Sequence, residues 1–198
     1  MNIASPVILR PPLSDSRGYI HAADLFDALV AATGAHGATR MRLARISDAA
    51  VELRHDAPQP GAPDFCGQFD TLSQGRPSSG WLRLVPGDVV RERSARLDAE
   101  TIAGARIGLD SATAIRQSGA SIAKTALVLA VALLEELFPD DTWNLAEISA
   151  VLDAPGADRI EVRIARQMSR FVVVEVMADT ACWGQFTLAA TRLQGGAG

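Results

Sequence analysis

Lysine is almost missing from this chain. There is one, Lys124, among nineteen basic residues, the rest being arginine. A genome rich in G and C accounts for such a bias, so the position of Lys124 carries more weight than its rarity. Cysteine is scarce too. Cys66 and Cys182 stand far apart with no C-x-x-C, which excludes a disulfide framework and a zinc site of cysteine type. Two small buried thiols are the expectation. A basic excess is lacking: net charge is −4, the pI is about 5.4, and the arginines are interleaved with acids. That argues against a nucleic-acid partner. Long apolar runs are absent. The longest, Ala126 to Leu134, is about half of the roughly 20 residues a bilayer crossing needs. The opening stretch has neither a basic start nor an apolar core of the secretory kind. No membrane partner is expected, and the cytoplasm is the expected location.

Several catalytic signatures are also missing. No G-x-S-x-G or G-x-G-x-x-G occurs outside the glycine-rich end. "SGASIAKT" approaches the phosphate loop G-x-x-x-x-G-K-[ST]. Ser118 stands where the first glycine belongs and Ala123 where the second does, so a nucleotide triphosphatase is rejected.

What is present is the composition of a folded protein: 48% hydrophobic and 21% charged residues in 198. One α+β domain over residues 1–193 is expected, followed by a flexible tail at 194–198. "SPVILR" predicts a short strand. Ile20, Ala23, Leu25, Phe26, Leu29 and Val30 fall near helical spacing, and Gly34 stands just past them. A helix from about His21 to Thr33 follows. Alternation in "TRMRL" and "AAVELR" around Ser47-Asp48 predicts a hairpin. "FCGQFDTL" and "SGWLRLVPGD" read as further strands. "DAETIAGA" predicts a short helix capped by Asp98. A long helix spans about Ala120 to Phe138, with Ser118 as cap and Pro139 beyond its end. "TWNLAEISAVLD" suggests another short helix, and the block from Ile160 to Leu188 predicts two or three antiparallel strands.

Strands and helices do not alternate regularly, and the strand connections are too short for parallel crossovers. The layout is therefore an antiparallel sheet curling over one long buried helix, with additional short helices. Folds of the hot-dog kind are similar in layout, an architectural analogy without a shared motif.

The long helix has its charges inverted. Lys124 lies in the opening turns, where the helix dipole is positive, while Glu135, Glu136, Asp140 and Asp141 gather at the negative end. Each misplacement costs about 0.3–1 kcal/mol when exposed. Burial of an oily helix overrides this. A guest anion at the helix start would meet free N–H groups, the hydroxyls of Ser118 and Ser121, and the Lys124 ammonium. The structural alternative is that the Lys124 stem covers apolar surface while its head reaches water. His21 and Asp24, three apart at the start of the first helix, are the candidate acid–base pair. The bland reading is that they shield and charge the helix start. No third ligand joins them, so neither a metal nor another cofactor is expected.

Two functions follow. One is a binding protein or enzyme for a small anionic compound, a carboxylate or acyl thioester, with its pocket between sheet and long helix. The alternative is a non-catalytic, homo-oligomeric interaction or structural module. A homo-oligomer is expected on either reading.

Overall fold

The computed structural model describes residues 6–13, 18–56, 62–93, 97–153 and 156–192. The expected tail at 194–198 lies outside them. One domain over 1–193 is the expectation from sequence; within that span the chain groups into two compact units. The first comprises Met1–Arg96 and Ser149–Asp153, the second Leu97–Ile148 and Ala154–Gly198. Both units are α+β, and the described strand pairings are antiparallel.

In the first unit β1 (Val7–Leu9) precedes α1 (Ala22–Thr33). Four strands follow: β2 (Ala38–Leu43), β3 (Ala49–Arg54), β4 (Phe65–Ser73) and β5 (Arg76–Val89). They lie in the order β1-β3-β5-β4-β2. Helix α1 has the expected span because Ala22, Ala23, Leu25, Phe26 and Leu29 form one buried stripe. It stops at Gly34, whose φ of 60° is the left-handed conformation glycine adopts freely. Ile20, Ala22 and Leu25 meet Leu43, Val51, Cys66 and Leu84 around a crevice of about 10 Å³, which leaves no room for a guest.

The expected β2–β3 hairpin does not form. β2 pairs with β4, while β3 pairs with β1 and β5. The connector is tied elsewhere: Ala44 N–H donates to the Cys66 carbonyl at 2.8 Å, and the Ser47 carbonyl accepts from Ile20 N–H at 3.0 Å.

The second unit holds α2 (Leu97–Ala103), β6 (Arg106–Ile107), β7 (Ser111–Ile115) and α3 (Ile122–Leu137). It continues with β8 (Asp141–Val151), whose last residues belong to the first unit, then β9 (Arg159–Met168), β10 (Phe171–Ala178) and β11 (Ala181–Arg192). Their order is β8-β11-β10-β9-β7-β6. Helix α3 is the long buried helix. Ten of its residues are buried, including Leu127, Leu129, Leu133 and Leu134, and it lies against β7, β9, β10 and α2. Ala112, Ala114, Ile160, Val162, Val172, Val174 and Val176 make up much of the buried face of those strands. Each is separated from the next on its strand by one residue, as a one-sided sheet requires.

Two expected helical features change. "TWNLAEISAVLD" is strand β8, not a helix. Helix α2 spans Leu97–Ala103, so Asp98 lies within it rather than ahead of it. Among the described residues no helix is long and apolar enough to cross a membrane.

Candidate functional site

The start of α3 is built by a turn, a cap and a brace. Ala120 N–H donates to the Gln117 carbonyl at 3.1 Å, closing a turn with Ser118 and Gly119 at its tip. Gly119 has φ 84°, as the third position of a type II turn demands. Ser118 is exposed on this tip and is not the cap. Ser121 is: its Oγ accepts from Lys124 N–H at 3.0 Å. Arg116 holds the turn in place. Its Nε donates to the Ala157 carbonyl at 2.6 Å and its Nη1 to the Ala120 carbonyl at 2.8 Å. Arg116 N–H donates to the Asp158 carbonyl at 2.6 Å.

Three polar side chains follow at spacings that put them on one side of the helix start: Ser121, Lys124 and Thr125. Lys124 is only 7% exposed. No carboxylate lies in the first turn. Thr125 is 1% exposed, and its Oγ1 is buried without a hydrogen-bond partner among the described residues. An unbonded buried hydroxyl is costly, about 1–3 kcal/mol. Thr125 was not among the residues chosen from the sequence, although it directly follows Lys124.

His21 and Asp24 belong to the first unit and the Ser118, Ser121, Lys124 set to the second. His21 occupies the cap position of α1 in extended conformation, with no side-chain cap bond. Asp24 lies in the first turn, where a carboxylate favours the helix dipole. Both are half-buried. His36 and His55 are exposed; His55 Nδ1 lies 3.1 Å from the Ser79 carbonyl and its ring meets Phe69 edge-on. Among the described residues no three His, Cys, Asp or Glu side chains group closely enough to hold a metal ion.

The thiols are poor nucleophiles. Burial pushes Cys66 up to about 12; Cys182 is exposed rather than buried as expected, and partial desolvation with the neighbouring Glu175 raises it. The other charged cluster, on the first sheet, is structural. Glu52 is buried and held by Arg83 Nη2 at 2.6 Å and Arg54 Nη1 at 3.3 Å. Arg54 and Trp81 Nε1 also bond Asp56, and the guanidinium foremost lowers that carboxyl to about 2.

No family model matches the sequence, and no curated protein matches it. Among solved structures, the tesB protein of Mycobacterium avium subsp. paratuberculosis is 9% identical, with 94% of this chain and 92% of that one covered and a TM-score of 0.51. A dehydratase domain of a mycocerosic acid synthase-like polyketide synthase is 15% identical over 86% and 82%, at 0.48. An acyl-ACP thioesterase from Bacteroides thetaiotaomicron is 10% identical over 94% and 97%, also at 0.48. At such identities the likeness is of fold alone, and the first of the three supports it. The fold is α+β of the hot-dog kind, an antiparallel sheet about a long buried helix.

Proposed function

We propose that this protein binds a small carboxylate or acyl-thioester compound at the start of α3, between that helix and the sheet of its unit. One observation carries the reading: the buried Lys124 beside the buried, unbonded Thr125 hydroxyl, at a helix end whose dipole opposes the ammonium. A negative guest would give the Thr125 hydroxyl an acceptor and lie beside a cation at a helix start that favours anions. A carboxylate would accept from the ammonium, the Thr125 hydroxyl and the first free N–H groups of the helix. For an acyl thioester, the same donors favour the charge that builds on the carbonyl oxygen when a nucleophile attacks. Ser121 shapes the site as cap, and Ser118 contributes from the turn before it. His21 and Asp24, in the first unit, stay a separate candidate acid–base pair; binding at the start of α3 does not require them.

The test is calorimetric titration with octanoate and with the N-acetylcysteamine thioester of octanoic acid. Lys124→Met keeps the packing volume while removing the charge. Its affinity should fall by about tenfold or more, as for loss of a charge-assisted hydrogen bond, with thermal stability nearly level. Unchanged affinity removes Lys124 from the site.

The second reading, a homo-oligomeric module, is favoured by exposed apolar side chains such as Val7 on β1, the end strand of the first unit's order. Sedimentation velocity separates the readings: a dimer without affinity for either compound would favour the module.

A further inference from the structure

Strand β6 is only two residues long, and the place where it leaves β7 is open. Gly108 N–H donates to the Ser111 carbonyl at 2.7 Å, and Arg106 stands opposite Thr113. The next rung of this ladder would set Gly104 against Ile115. Gly104 N–H instead donates to the Glu100 carbonyl at 3.2 Å, because the chain there is already the end of α2. On its other side β7 is bonded to β9 through alternate residues: Arg116 N–H donates to the Asp158 carbonyl, and Ile164 N–H to the Asp110 carbonyl. By that alternation the N–H and C=O of Ile115 point away from β9. They have no strand partner among the described residues.

These groups border a groove of about 380 Å³ lined by Gly104, Arg106, Thr113, Ala114, Ile115 and Arg159. Its charge is positive and poorly neutralised. The Arg106 side chain has no hydrogen bond or ion pair among the described residues. Arg159 reaches Glu161 Oε2 only at 3.9 Å, while Glu161 Oε1 accepts from Arg163 at 2.6 Å. Apolar surface belongs to it: Ile115, on its lining, is 67% exposed. An open backbone edge, two guanidiniums and an apolar margin together suit an extended chain with carboxylates. A second copy suits it less. Two copies meeting at this groove about a two-fold axis would bring their Arg106 and Arg159 guanidiniums together.

We propose that the groove takes an extended acidic peptide segment of a partner protein. Its main chain exchanges hydrogen bonds with Ile115, and its carboxylates pair with Arg106 and Arg159. The probe is a short fluorescein-labelled peptide of alternating valine and glutamate, titrated into the full chain and read by fluorescence anisotropy. The alternating valine–lysine peptide, and the acidic peptide with N-methylated amides, serve as comparisons.

The acidic peptide should bind. Arg106→Glu, an exposed position that leaves the fold intact by circular dichroism, should weaken it about tenfold or more, and N-methylation should weaken it similarly. The lysine peptide should not bind. Absence of binding at millimolar peptide overturns the proposal, as does equal affinity for the acidic and basic peptides. So does an Arg106→Glu variant that binds as wild type. If N-methylation changes nothing and glutarate displaces the peptide, the groove is a simple anion site and the strand-addition proposal fails.

Discussion

Replacing Ser121 by alanine removes one defined hydrogen bond from the start of α3. The Oγ accepts from Lys124 N–H at 3.0 Å, and no first-turn carboxylate stands in for it. Loss of a cap costs about 0.5–2 kcal/mol. The N–H uncovered belongs to a buried residue, so the upper part of that range applies, about 1–2 kcal/mol. In a chain of this size each kcal/mol moves Tm by about 2–4 °C. Ser121→Ala should therefore melt about 2–8 °C below wild type in differential scanning calorimetry. Ser121→Asp retains an acceptor and adds a charge that the helix start favours by about 0.3–1 kcal/mol. It should melt at or above wild type while binding octanoate more weakly, because the new carboxylate takes the guest's place. An alanine variant within about 1 °C of wild type would refute the cap assignment. An aspartate variant less stable than the alanine one would refute the view that the helix dipole favours a carboxylate at this position.

Two further outcomes follow from the first unit. The Asp56 carboxyl is lowered from 3.8 to about 2, chiefly by hydrogen bonds from Arg54. A depressed acid stabilises the fold above its unfolded value and loses that contribution as pH falls through the folded one. Asp56→Asn should thus be less stable than wild type above pH 3.8, with the gap closing as pH falls through about 2; a pH-independent gap in chemical denaturation contradicts this. Gly80 lies opposite Phe69 in the β4–β5 pair, and a Cβ there would collide with the Arg54 carbonyl and the Phe69 ring. Gly80→Ala should cost about 1–3 kcal/mol by overpacking. A urea midpoint equal to wild type would show that the neighbours yield freely.

Much of the framework can be read from spacing. Helix α1 announces itself by one apolar stripe and a glycine beyond its end, the first half of β9 by alternation, and β10 by a valine-rich apolar run. Failures occur where spacing is ambiguous or partners are remote. In β8 the buried residues are Trp143, Leu145, Ile148 and Ala150. The skipped step between Leu145 and Ile148 breaks the period of two and imitates a helix. The β2–β3 pairing failed because alternation predicts strands without saying which neighbour each will choose. Ser118 and Ser121 are both plausible caps by residue type; a type II turn at Gly119 separates them. Arg116 left no local trace because one of its main-chain partners is Ala157, far along the sequence. The polarity of the α3 start was legible in Ser121 and Lys124, whereas the unbonded Thr125 hydroxyl depends on its surroundings.

Strand β8 serves both units, and this sets a schedule for synthesis. The first unit is incomplete without Ser149–Asp153, where Leu152 N–H donates to the Gly37 carbonyl at 3.0 Å. A ribosome adding about 5–20 residues per second needs several seconds to run from Leu97 to Asp153. For that interval the β2 margin of the first sheet waits as an open edge, the kind of surface that recruits wrong strands. Slower translation across this stretch would lengthen the exposure, and a nascent chain stalled within it would be a natural client for chaperones.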